Sequence, residues 1–129
     1  MAATHSTGAR DAATNAVTAL LTSGSKLVFR LTGTIGAPGT AVATLPLSAT
    51  AFAASSSGTA TANAITSDTN ATGNASAVAN ASLETSGGTL IIHCAVAASA
   101  SDINMTGGLT VAAGDTVSCS SLTYTALSA

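Results

Sequence analysis

The stretch GLTVAAGDTVSCSSLTYTA, Gly108 to Ala126, decides how this chain is read. Two runs that mix β-branched and small polar residues flank Ala113-Gly114-Asp115, a turn-forming triplet. The pattern predicts a strand over Leu109–Val111, a turn, and a closing strand over Thr116–Ala126. The stretch also contains the single tyrosine, Tyr124, and one of two cysteines, Cys119. Tyr124 reads as a rim or core anchor whose hydroxyl needs a partner where buried.

Working upstream, the same strand and turn signals recur every eight to twelve residues. TLIIHCAVA (Thr89–Ala97) is apolar on both faces, so it is expected to lie centrally in a sheet. Ser86-Gly87-Gly88 is the turn before it, and Asp102–Met105 a short strand after it. Asn74–Glu84 alternates with period two and is read as a strand placing Ala75, Ala77, Ala79, Ala81 and Leu83 on one face. Thr59–Thr66, Ala41–Leu47 and Leu27–Gly33 are further strands. Pro46 suggests an edge or a bulge. In the first strand, Leu27, Phe29 and Leu31 face opposite to Val28 and Arg30. Thr34–Thr40 is a Gly/Pro loop, and Phe52 is a core anchor. One helix is expected, over about Gly8–Thr22, capped by Thr7, stopped by Gly24 and docking by its apolar C-terminal end. Residues 1–7 form a flexible arm.

The fold expected is therefore all-β: a single β-sandwich or jelly-roll-like domain over residues 8–129, of about eight antiparallel strands, with one short N-terminal helix. A chain of 129 residues suits one domain. Charged residues make up 6%, aromatics 2%, and tryptophan is absent. The positive mean hydropathy comes largely from alanine, so the core is expected to be modest and burial against a partner helpful.

Composition also bounds function. Three basic residues, Arg10, Lys26 and Arg30, cannot cluster against phosphates, so nucleic acid is not an expected partner. Neither a secretory signal nor a membrane-spanning stretch is read. The Asn-x-Ser/Thr triplets at Asn70, Asn74, Asn80 and Asn104 follow from the abundance of those residues. Cys94 and Cys119 lack the spacing of a metal site and are expected as free, buried thiols. His93 and Cys94 are adjacent on a strand, point to opposite faces and cannot act as a nucleophile–base pair. His5 lies in the arm. Asp11, Asp68, Glu84, Asp102 and Asp115 are scattered; Asp68 and Asp115 are expected to bond their own turn backbone. No catalytic, cofactor-binding or metal-binding residue is assigned, no cofactor is expected, and an enzyme is not the reading. The chain lacks the regular Thr-x-Thr repeat of an ice-binding ladder.

ATANAITSDTNATG (Ala60–Gly73), ETSGGTLIIHCAVA (Glu84–Ala97) and SDINMTGGLTVAAGDTVSCSSLTYTA (Ser101–Ala126), with ATHSTGARDAATNAVTALLTSG (Ala3–Gly24), resemble small virion proteins of tailed bacteriophages. The resemblance covers nearly the whole chain, and its motifs are structural. It implies a head decoration, or cement, protein made in the bacterial host cytoplasm and located on the capsid exterior. The implied partners are the major capsid protein and further copies of the chain, with a trimer favoured over a dimer. The alternatives are a tail, neck or fibre component, and a host-surface or glycan-binding module. The scarcity of aromatics disfavours the last.

Overall fold

The computed structural model describes residues 3–128. Helix α1 (Thr7–Thr18) precedes β1 (Lys26–Arg30), β2 (Gly33–Thr34), β3 (Ala37–Pro38), β4 (Ala41–Pro46), β5 (Thr59–Thr61), β6 (Asn80–Glu84), β7 (Leu90–Ala97), β8 (Ile103–Asn104) and β9 (Thr123–Thr125). Five strands form one sheet in the order β4-β1-β6-β7-β8, while β2–β3 and β5–β9 are separate pairs. The chain is thus β-rich with one short helix, as its patterning predicts.

Register explains where the core sits. Leu45, Leu27, Leu83 and Ile92 lie side by side across β4, β1, β6 and β7, and Ala43, Phe29, Ala81 and Cys94 form the next row. One large ring among small neighbours fills the second row without overpacking. Leu27, Leu45 and Ala81 have no solvent-exposed surface. Val78, Val111, Val117 and Leu122 complete the apolar cluster from segments outside the strands. Half of the core is therefore supplied by irregular chain. Phe52 is buried as expected, and Leu31, though beyond the end of β1, still packs against the cluster.

The other face of the sheet is polar but closed. Arg30 donates from Nη2 to Glu84 Oε2 (2.8 Å), from Nε to Ser82 Oγ (3.2 Å) and from Nη1 to the Gly39 carbonyl (2.7 Å). Ser82 in turn donates to Glu84 Oε2 (3.0 Å), and Lys26 Nζ stands 3.7 Å from Glu84 Oε1. Glu84 is 4% exposed and Ser82 fully buried. A carboxylate so covered is tolerated because it is both paired and hydrogen-bonded. Val28 is shielded beside this network, which is why both faces of β1 are buried.

Several sequence expectations are corrected. The helix runs from Thr7 to Thr18; Ser6, not Thr7, caps it, with its hydroxyl accepting from Ala9 N (3.2 Å). It ends before Gly24 because Leu20 N and Leu21 N bond three residues back, to Val17 and Thr18, and tighten the last turn. The expected arm therefore loses Ser6 and Thr7 to the helix, and Met1 and Ala2 lie outside the described residues. Asn74–Glu84 is a strand only from Asn80. Asn74 Oδ1 accepts from Ser76 N, leaving Ala75 and Ala77 exposed, while Val78 turns into the core. Alanine buries too little on either face to hold a strand against such a local turn.

TLIIHCAVA lies inside the sheet, between β6 and β8, as its apolar run predicts. It is less covered than β1 or β6, because β8 is only two residues long, and His93 and Ala95 are exposed. The apolar run overstated its burial, whereas the polar residues of β6 are buried by pairing. The strands are not all antiparallel: β7 and β8 run parallel through Val96↔Ile103 and Ala97↔Asn104. The chain coils back within five residues, held by Asp102 Oδ2 accepting from Ala95 N (2.9 Å) and Asn104 Oδ1 accepting from Ser101 N (3.0 Å). Thr34–Thr40 contains the small hairpin β2–β3 rather than loop alone.

Both edges of the sheet are managed. Strand β4, the edge that Pro46 signalled, is covered by residues 66–73: Thr66 N donates to Pro46 O, Gly73 N to Val42 O, and Thr44 N to Asp68 Oδ2. The opposite edge is β8, only two residues long; inside it β7 carries a bulge opposite Leu83/Glu84, and Asp102 Oδ2 occupies its Ala95 N–H. Short edge strands and bulges discourage edge-to-edge pairing.

Glu84→Gln is expected to lower stability in urea unfolding by about 3 kcal/mol, because it leaves the Arg30 guanidinium without a countercharge on a covered face. Lys26→Ala, removing the longer and more exposed contact, is expected to cost no more than about 1 kcal/mol. Equal losses would contradict this assignment.

Candidate functional site

The residues that sequence reasoning weighed for chemistry lie apart. His93 is exposed on the polar face of β7, and Cys94 is buried on the core face. Cys119 is half-buried, and its thiol donates to the Ser121 carbonyl (3.5 Å). Both thiols are free. Burial, reinforced by the Asp102 charge, pushes Cys94 up to about 11, and burial also raises Cys119. Neither is an activated nucleophile, which needs a lowered pKa. Among the described residues, no three His, Cys, Asp or Glu side chains converge as metal ligands would.

The carboxylates act instead as fasteners. Asp68 Oδ1 accepts from Asn70 N (3.0 Å) and Asp115 Oδ2 from Ala112 N (2.9 Å), the local turn bonds expected of both. Asp11 reaches much further. Its Oδ1 accepts from Gly58 N (2.7 Å) and from the Ser55 hydroxyl (2.7 Å), joining α1 to the turn before β5. Asn15 Oδ1 accepts from Ser55 N (2.8 Å). Thr14, fully buried, donates to the Gly58 carbonyl (2.6 Å) and accepts from Ala126 N (3.1 Å).

Helix α1 is therefore clamped by Asp11, Thr14 and Asn15, one helical turn of polar side chains. The expectation that its apolar C-terminal end docks is corrected in part: Leu21 is buried, but Leu20 is 54% exposed. With the helix ending at Thr18, the two leucines follow the turn that comes after it and no longer share its face. The turn needs Gly58, whose φ is +86° and whose missing side chain leaves room for Arg10. Sequence reasoning missed this clamp because its partners are 40 or more residues apart.

The closing stretch Gly108–Ala126 folds otherwise than predicted. It keeps the turn at Ala113-Gly114, but Leu109–Val111 does not pair with Thr116–Ala126. Val117 instead exchanges backbone bonds with Asp68, and β9 pairs with β5, placing Tyr124 opposite Ala60. Tyr124 is half-buried against the core, consistent with an anchor. Gly73, at φ +70°, packs so closely on Ala112 and Ala113 that a Cβ there would collide with their backbone.

A groove of about 520 Å³ opens between residues 102–111 and 115–123. Phe29, Val111, Val117 and Leu122 contribute apolar lining, Ser and Thr residues polar lining, and Cys119 lies along it. A second hollow, about 380 Å³, lies between the end of α1 and residues 49–54. The groove is the larger of these two hollows, and its lining is mainly polar rather than aromatic.

Two outcomes follow from this geometry. The Gly58 amide, then the Ser55 hydroxyl, hold Asp11 below its ordinary value of 3.8. A depressed carboxyl contributes stability above its unfolded pKa and loses it as pH falls through the folded value. Asp11→Asn is thus expected to reduce the fall in urea midpoint between about pH 5 and about pH 2; an unchanged acid profile would contradict the clamp. Alkylation of the native protein near about pH 8, read by mass spectrometry, is expected to modify Cys119 well before Cys94. Equal rates would show that Cys94 is not shielded.

Comparison with protein-family models, with curated proteins and with solved structures found no match for this chain.

Proposed function

We propose that this chain is a structural protein of a tailed-phage particle: a head decoration protein that binds the outer surface of the major capsid protein lattice and strengthens the shell. The observation that carries the reading is the resemblance of residues 3–24, 60–73, 84–97 and 101–126 to small virion proteins of that kind. In this reading the finer architecture is a jelly-roll-like sandwich and the working unit a homo-oligomer, a trimer before a dimer.

The physical design supports the role. Carboxylates and the covered ion pair are committed to holding loops and strands in place, and the sheet edges are protected against indiscriminate pairing. What remains outside is a surface of hydroxyls and small side chains with few charges. Such a surface permits close approach to a repeating lattice, where weak contacts are multiplied by copy number. Ile35, at the tip of the β2–β3 hairpin and 52% exposed, provides a large apolar contact on that surface.

Purified protein mixed with undecorated expanded heads is expected to bind stoichiometrically and to raise their resistance to heat. Absence of binding would overturn the proposal. Counting copies per virion separates this role from a tail, neck or fibre component, which would be present in few copies.

A further inference from the structure

We infer that the groove between residues 102–111 and 115–123 is a docking site for an extended polypeptide segment carrying a lysine or arginine.

Three features of the groove specify that occupant. The first is charge. Asp102 and Asp115 both line it, and no lysine, arginine or histidine does. Each carboxylate uses one oxygen, Oδ2, to hold its own loop, on Ala95 N and Ala112 N respectively. No hydrogen bond within the described residues engages either Oδ1. An occupant bringing a cation meets two uncompensated negative charges, while an acidic one meets repulsion.

The second feature is backbone. Ser118, Cys119 and Ser120 belong to no strand, and among the described residues their peptide groups make no backbone hydrogen bond. On the opposite wall Thr106 and Gly107 form an exposed turn outside any strand, and their own peptide groups make no backbone hydrogen bond among the described residues. Exposed, unpaired N–H and C=O groups along a groove are the template an extended peptide uses when it adds to a sheet edge. The third is shape. A volume of about 520 Å³ with an apolar floor, Phe29, Val117 and Leu122 among it, accommodates a few side chains but no folded element.

For the partner being a polypeptide of the particle, the inference rests on the function proposed above. Its test does not. The probes are two short extended peptides, acetyl-Ser-Val-Lys-Val-Ser-amide and its glutamate counterpart. Each is titrated to about 5 mM, the affinity range of a few contacts. The readouts are backbone amide resonances and the alkylation rate of Cys119, a thiol on the groove wall.

The lysine peptide is expected to shift resonances within residues 102–123 and to slow Cys119 alkylation, with the glutamate peptide markedly weaker. Asp102→Asn and Asp115→Asn each keep an acceptor oxygen for the loop while removing the charge. Each is expected to weaken the lysine peptide about two- to fivefold, as loss of an exposed ion pair does. No perturbation of the groove, equal response to both peptides, or undiminished binding by the double Asn variant would overturn the inference. Failure with peptides leaves head binding untouched as a separate measurement. Loss of head binding alone, with peptide binding intact, overturns the particle function and not the groove.

Discussion

The rest of the structure depends on the pairing of Arg30 with Glu84 through Ser82 across β1 and β6. The chain has few large apolar residues, so its two central strands cannot both be buried by hydrophobic side chains alone. Closing the outer face with one guanidinium, one carboxylate and one hydroxyl solves that problem. It also sets the register of β1 on β6, because a slip of one residue would turn either Arg30 or Glu84 toward the core and part them. With that register set, Leu27 and Phe29 fall opposite Leu83 and Ala81, and the apolar rows of the sheet follow.

The second constraint is the amount of irregular chain. Much of the core facing the sheet comes from segments that are neither helix nor strand, and such segments must satisfy their backbone polar groups individually. The carboxylates do much of that. Asp68 binds Asn70 and reaches Thr44 on β4, Asp102 holds the coil after β7, and Asp115 holds the turn at Ala113-Gly114. Asp11 performs the same task over a longer distance, tying the helix to the turn before β5. Few charges are needed because each is placed at a seam.

This division of labour bears on function. Side chains that in many proteins perform chemistry here fasten loops, and the buried Cys94 thiol contributes packing. The features left facing outward are hydroxyl-rich surface, a projecting Ile35, and a groove with two carboxylates and unpaired peptide groups. Under the proposed function these are the protein's means of contact. They suit a protein whose work is adhesion to other chains, the reading that the quoted stretches support by resemblance.

Local chemistry was legible from the residues. The turns at Ser86-Gly87 and Ala113-Gly114, the strand of Leu27 to Arg30, the edge character of Pro46, the burial of Phe52 and the β-rich class all follow from short-range preferences that the sequence displays directly. Partners were not legible. Whether Thr116–Ala126 pairs with Leu109–Val111 or is divided between Asp68 and Thr59–Thr61 depends on contacts between distant segments. Alternating Ala, Ser and Thr carry little free-energy difference between the choices. The helix clamp and the groove were hidden for the same reason, since each arises where remote segments meet. The sequence by itself determined which segments of this protein turn and which extend. Only the tertiary structure decided which of them pair, because in a chain of small side chains that choice rests on long-range hydrogen bonds and one covered ion pair.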